Sequence, residues 1–295
     1  FGCCPMGGHG WGEISTEKVM EAVSAGLDKG VNFFDTADIY GLGESEKRLG
    51  RALKGRRDKA IIATKFGVRI DRQNKTYYDN SPTWIKSALD GSLRRLGVEC
   101  IDLYQMHYKD SKTPIDVVVE ALEEKRREGK IRYYGLSNVS PEDIVFDPLP
   151  EGMVSFQLEY SLARRNREND IIGISRENGL SFLSWGSLGQ GILTGNHDVN
   201  TKFPSSDRRN RPAYVNFHGE KLKKNMMIVE EMRKISAAIS KSPAQIAIRW
   251  ILDHLGFGTV LTGVTCPEEI TENTGAFGWK LSEHDVSVLD GVSKE

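Results

Sequence analysis

The chain has only four cysteines in 295 residues, Cys3, Cys4, Cys100 and Cys266, and none belongs to a C-x-x-C pair. Without that spacing, or a cluster with histidine, neither a zinc site nor a disulfide framework is indicated. Cys3 and Cys4 are adjacent and would point to opposite faces of a strand, which argues against a shared metal. Scattered thiols suit a reducing compartment, so a cytoplasmic location is expected. No apolar run approaches the roughly 20 residues of a membrane-spanning helix, and no signal peptide is visible. Neither sign of charge dominates: 40 basic side chains face 41 acidic ones, a net charge of −1. That excludes the broad positive surface on which nucleic acid or an anionic membrane would settle. Methionine is missing at the start, which is Phe1, so the first strand is expected to be truncated.

What is present is a composition of soluble globular type, 39% hydrophobic and 27% charged. Short apolar runs recur at residues 31–37, 60–66, 101–107, 132–138, 153–160, 180–185 and 257–264. The opening F-G-C-C is a candidate remnant of an eighth. Between them lie amphipathic stretches with helix-start signals: Ser15-Thr16-Glu17, Ser81-Pro82, Pro114 and Ser242-Pro243. Residues 218–239 read as an additional helix, and L-S-E-H-D-V-S-V-L-D-G-V as a final short one. Buried strands alternating with helices imply a parallel sheet, and eight such units suit a closed (β/α)8 TIM barrel. An open doubly wound sheet is the alternative, but its usual mark, G-x-G-x-x-G after the first strand, is absent. Gly41 and Gly43 follow the second strand, and Glu46 stands where a third glycine belongs. No linker divides the chain, so residues 1–295 are expected to form one domain. Residues 196–217, NHDVNTKFPSSDRRNRPAYVNF, show neither period and are expected as a long lid or binding loop after the seventh strand.

Chemistry in such a barrel sits at the C-terminal ends of the strands. Those ends carry Asp35 with Tyr40 just beyond, Thr64-Lys65, His107, Ser137-Asn138, Gln157, Trp185 and Gly263. Singly, each has an ordinary reading: a turn cap, a snorkelling lysine, a hydrogen-bonded histidine, a packing tyrosine. Together, Asp, Tyr, Lys and His on successive strands converge on one pocket. A phenol titrates near ~10, an ammonium beside it would lower that value, and a carboxylate would hold the ammonium in place. A neutral histidine can orient a carbonyl oxygen. This set moves a proton at an oxygen while hydride moves at its carbon, and the hydride must come from a cofactor.

The ordered motifs resemble the aldo-keto reductase superfamily. They are GVNFFDTADIYGLGESEKRLGRAL, IIATKFG, GVECIDLYQMHYKD, GKIRYYGLSN, VSFQLEYSLARR, LSWGSLGQGILTG and GVTCPEEITENTGAF, which span nearly the whole chain. The resemblance implies a catalytic tetrad of Asp35, Tyr40, Lys65 and His107, with no metal. It implies that Ser137, Asn138 and Gln157 hold the nicotinamide carboxamide and that Trp185 stacks on the ring, where the family more often has tyrosine. It places Ser187, Leu188, Gly189 and Gly191 along the pyrophosphate, and Gly263, Thr265, Glu269, Glu272 and Asn273 at the adenosine end.

The implied activity is NAD(P)H-dependent reduction of an aldehyde or ketone, with a small-molecule carbonyl or alcohol as the other reactant. Oxidation of a sugar or alcohol uses the same residues in reverse and stands beside it. So does a nicotinamide-binding regulatory subunit with little turnover, although in such proteins the histidine is replaced and here His107 is present. Between Gly263 and Asn273 there is no lysine or arginine, whereas Glu268, Glu269 and Glu272 are acidic. A carboxylate at the 2′ position repels a phosphate, so NADP(H) and NAD(H) both stand as cofactors. Arg208 or Arg209 is a candidate source of the missing positive charge. Met6, Trp11, Tyr77, Tyr78 and residues 109–113 are expected to border the substrate pocket. The oligomeric state is not legible, and a monomer is compatible with the resemblance.

Overall fold

The computed structural model describes residues 1–8 and 10–294. Seven strands form one parallel sheet: β1 (Phe33–Asp35), β2 (Ile61–Phe66), β5 (Ile101–Met106), β6 (Ile131–Ser137), β7 (Met153–Glu159), β8 (Ser181–Trp185) and β9 (Thr259–Val260), in that spatial order. Between β2 and β5 a separate antiparallel hairpin is made by β3 (Val68–Ile70) and β4 (Thr76–Tyr78). The helices are α1 (Thr16–Asp28), α2 (Glu44–Ala52), α3 (Pro82–Leu96), α4 (Ile115–Arg127), α5 (Glu168–Asn178), α6 (Gly219–Ile239), α7 (Pro243–Leu255), α8 (Pro267–Thr274) and α9 (Glu283–Ser293).

The sheet closes through the first residues of the chain. Gly2 bridges Asp35 on one side and Gly263 on the other, both in parallel sense. Gly2 N–H donates to Thr262 O at 2.7 Å, Cys3 N–H to Asp35 O at 2.8 Å, and Asp35 N–H to Phe1 O at 2.9 Å. The eighth unit expected at F-G-C-C is therefore a short backbone bridge that completes the (β/α)8 barrel.

Helix boundaries follow local chemistry. Ser15 and Ser81 accept the backbone N–H groups of Lys18 and Trp84, and Ser242 with Gln245 forms a reciprocal capping box. The sequence reading differs from the fold in three places. The β3–β4 hairpin was not expected, because V-R-I-D-R-Q-N-K-T-Y-Y is polar and exposed at its tip. The last strand is two residues long rather than eight, flanked by the left-handed glycines Gly256 and Gly258. Residues 196–217 contain two single 3₁₀ turns, Arg208–Asn210 and Val215–Phe217, and the first is tied to the N-terminal segment by Arg208 N–H donating to Gly10 O at 3.0 Å.

Alternation along the strands sorts the core into layers. Ala63, Leu103, Leu183 and Leu261 are buried together, with Phe33 and Val154 against them, and form an apolar layer inside the barrel. Residues two further along β1, β2 and β5 are Asp35, Lys65 and Gln105, so the next layer is polar. Opposite-facing residues such as Phe34, Ile62, Tyr104 and Phe156 pack into the larger core beneath the helices. One fold thus rests a charged layer on a dry floor.

The loop after β1 is set by a close backbone crossing. Gly41 has φ +60°, and a Cβ there would stand 2.2 Å from Gly7 O; one on Gly7 would stand 2.5 Å from Gly41 N. Neither position can take a side chain without moving the backbone beside Tyr40. The expected outcome for Gly41→Ala is a loss of about 2–3 kcal/mol, from strain at positive φ plus the clash. Urea denaturation checks it as a lower midpoint at unchanged slope.

Candidate active site

The polar layer at the C-terminal mouth is built around Lys65. Its side chain is fully buried, and Nζ donates to Asp35 Oδ1 at 2.5 Å and to Thr36 O at 2.9 Å. The second carboxylate oxygen of Asp35 accepts Gln105 Nε2 at 3.2 Å and Gln157 Nε2 at 3.0 Å. Four strands thus meet on one carboxylate. Gln105 was not singled out in the sequence; its place two residues beyond Leu103 on β5 was the available signal. Gln157, expected at the carboxamide, here has its amide on Asp35.

Tyr40 stands over this pair, with the Lys65 ammonium 5.3 Å from its ring centroid. Its ring meets His107 edge to face, centroids 5.7 Å apart. Burial pushes the Tyr40 phenol well above its ordinary value of 10.0, and the acidic neighbours Cys4 and Asp35 push the same way. The sequence reading had the ammonium lowering it. Burial of the phenol outweighs the ammonium in the resting site, so Tyr40 carries its proton there. His107 is pushed the other way, well below 6.5, first by burial and then by the Lys65 charge. It is a neutral imidazole, and its Nδ1 is buried with no hydrogen-bond partner. Tyr108 stacks on His107 at 5.1 Å, and Tyr78 stacks on Tyr108 at 5.3 Å.

Beside these groups runs a cavity of about 890 Å³, within the size range of a cofactor and small-substrate cleft. Of the predicted residues, Asp35, Tyr40, His107, Ser137, Asn138, Gln157, Trp185, Ser187, Leu188, Gly191, Gly263, Thr265, Glu269, Glu272 and Asn273 line it. Lys65 and Gly189 do not; both are buried behind the wall. Asn138 sits at φ +58° and donates from Nδ2 to His107 O at 2.9 Å, while Trp185 Nε1 donates to Asn138 Oδ1 at 3.3 Å. That chain of bonds fixes the indole against the cavity.

The donor set fits a dinucleotide. Gly186, Gly189, Gln190 and Gly191 all have positive φ, a winding that brings the backbone close to the cavity, although the N–H groups of Gly189 and Gly191 are donated to Gly186 O and Leu188 O. At the far end Glu269 accepts Thr265 N–H at 2.6 Å and Thr265 Oγ1 at 3.0 Å. Asn273 donates to Thr262 Oγ1 at 3.1 Å. Arg209 clasps Asp207 with two bonds, Nε to Oδ1 at 3.0 Å and Nη2 to Oδ2 at 2.7 Å. Both Arg208 and Arg209 line the cavity from the long loop.

The substrate-side expectations divide. Trp11 lines the cavity, but Met6 is buried beneath it, and Tyr77, Tyr78 and residues 109–113 stand off it. Tyr78 reaches the site only through its stack on Tyr108. Cys4, Tyr108, Glu159, Arg164, Gln190 and Tyr214 line the cavity and were not expected. Glu159 ends β7, while the others come from turns and loops whose sequences carry no distinguishing period. No group of His, Cys, Asp and Glu among the described residues is arranged to hold a metal ion. No helix there is long and apolar enough to cross a membrane.

A family model described as "Aldo/keto reductase family" matches residues 2–294. The aldo-keto reductase yakc [NADP(+)] of Schizosaccharomyces pombe is 36% identical over 98% of this chain and 86% of its own length. A solved glycerol dehydrogenase from Gluconobacter oxydans superposes with a TM-score of 0.89 at 34% identity, covering 99% of this chain and 90% of that one. The holo form of an aldo-keto reductase from Bacillus halodurans superposes at 0.80 with 29% identity, covering 100% and 91%.

The neutral state of His107 has a thermodynamic sign. Its folded value lies below the unfolded 6.5, so it favours folding above that pH, and that contribution is lost as pH falls toward the folded value. NMR of the ring carbons should show no titration of His107 between about pH 7.5 and about pH 5.5.

Proposed function

The chain belongs to the aldo/keto reductase family, NAD(P)-dependent oxidoreductases acting on carbonyl and alcohol groups, and on that premise we propose that it reduces an aldehyde or ketone with Tyr40 as the proton donor. The observation that carries this reading is the convergence of Tyr40, His107 and the buried Lys65–Asp35 pair at one end of the cavity. The nicotinamide, when bound, supplies the hydride; the chain's own residues do the rest.

Neutral His107 and the Tyr40 hydroxyl orient the carbonyl oxygen. As hydride reaches the carbon, the oxygen takes the proton of Tyr40. The phenolate left behind faces the Lys65 ammonium across a dry wall, where the attraction is far stronger than in water. Asp35 keeps that ammonium in place and charged. Trp185, held by Asn138, forms the flat surface against which the nicotinamide would rest. Alcohol oxidation is the same path reversed, with Tyr40 accepting the proton as a phenolate.

The cofactor choice turns on Glu269. Its carboxylate stands at the adenosine end, fixed by Thr265, and opposes a 2′-phosphate. Glu269→Gln removes that charge, so NADPH should bind roughly 5–10-fold more tightly while NADH stays within about twofold. Titration of Trp185 fluorescence with each cofactor measures both; equal effects on the two would contradict this role of Glu269.

Tyr40→Phe is expected to lower kcat about 10³-fold or more with cofactor affinity nearly unchanged. Steady-state rates with a panel of aldehydes, together with the same fluorescence titration, decide it. Near-normal turnover by this variant sinks the assignment.

A further inference from the structure

Behind the loop that carries Asp35 and Tyr40 lies a group of ionisable side chains that the reduction does not use: Asp38, Glu46, Arg95 and Tyr104. None lines the cavity. Asp38 sits between the two catalytic residues, and its N–H donates to Lys65 O at 3.2 Å. Its Oδ1 is buried without a hydrogen-bond partner.

Glu46 of α2 is fully buried, with one oxygen accepting Thr64 Oγ1 at 2.6 Å and the other Arg95 Nε at 2.6 Å. Arg95 comes from α3 and lies against Gly43, where a Cβ would stand 2.5 Å from its Cδ. Tyr104 of β5 adds a buried hydroxyl without a partner. The groups that act on Asp38 are therefore one carboxylate, Glu46, and two cations already engaged: Arg95 by Glu46, and Lys65 by Asp35. Glu46 holds the Arg95 guanidinium, and Asp38, with a buried Oδ1 and no ion pair among the described residues, is least costly when protonated.

We propose that Asp38 is a positioning residue carried as a neutral carboxylic acid, and that its ionisation limits turnover on the alkaline side by displacing the loop that holds Asp35 and Tyr40. An anion there repels Glu46 and competes for Arg95 and Lys65, so the loop cannot keep both its backbone bond to β2 and its packing. The electrostatics agree: burial first, then Glu46, pushes the Asp38 carboxyl up to about 8, against Arg95, the Ile39 N–H and Lys65. Tyr40 and His107 are displaced out of that window in opposite directions.

The inference rests on the reading of Tyr40 and Lys65 as the reactive pair, and its test separates the two. Because the folded value of Asp38 exceeds the unfolded 3.8, stability is full below that pH and falls as pH rises through about 8. In Asp38→Asn that loss is removed, so the gap in Tm between variant and wild type should widen from about pH 5 to about pH 9. The alkaline midpoint of the reductive kcat profile should move up by about one pH unit in the same variant. Glu46→Gln removes the repelling charge and releases Arg95 to Asp38, so its alkaline midpoint should move down. A purely structural role would not move the two profiles in opposite directions.

Unmoved midpoints in the two variants overturn the proposal, as does a Tm gap independent of pH. If Asp38→Asn does not fold, the Glu46→Gln profile alone decides. A wild type without turnover at any pH contradicts the functional reading instead, and the Tm comparison then still decides whether Asp38 is neutral.

Discussion

Everything at the mouth of this barrel depends on one buried ion pair. Placing a lysine and an aspartate out of water costs several kcal/mol per ion unless their remaining polar atoms find partners. Here they do. Lys65 has Asp35 and the Thr36 carbonyl, and Asp35 has Lys65, Gln105 and Gln157. Strands β1, β2, β5 and β7 must therefore stay in register for the pair to be tolerable at all. Removing either partner leaves the other charge buried and alone.

That constraint explains the order of the surrounding structure. The closing segment bonds both the N–H and the carbonyl of Asp35, so barrel closure and placement of the carboxylate are one event. The Gly7–Gly41 crossing then fixes the loop beyond it and sets Tyr40 over the ammonium. His107 arrives from the adjacent strand, desolvated enough to be neutral. The cavity inherits its polarity from this end: a corner made by Tyr40, His107 and Asp35, an indole wall, a winding of positive-φ residues and an acidic far end.

The sequence revealed the parts governed by periodicity and declined to reveal those governed by tertiary approach. Short apolar runs located the strands of the parallel sheet but not the β3–β4 hairpin, whose mostly exposed side chains give no apolar face. Strand ends pointed to Asp35, Lys65 and His107, with Tyr40 just beyond the first. Gln105 lay in plain sight on β5, but its partner on β1 becomes visible only once the parallel register is known. The direction of the Tyr40 shift follows from how deeply the phenol is buried, which composition does not show. Cys4 and Tyr214 reach the cavity from irregular segments, where neither period nor capping constrains the backbone. Asp38 was not singled out in the sequence; its buried, unpartnered Oδ1 and its N–H bond to Lys65 O are properties of the packed loop.

The most direct test of the central pair is a double-mutant cycle on kcat/KM for carbonyl reduction, using Asp35→Asn, Lys65→Met and the combination. If the two act as one unit, each single substitution should cost on the order of 10³-fold and the double variant should be no more than about tenfold worse than either. Losses that multiply, giving a double variant near 10⁶-fold down, would mean that Asp35 and Lys65 act independently and that the buried pair does not organise the site.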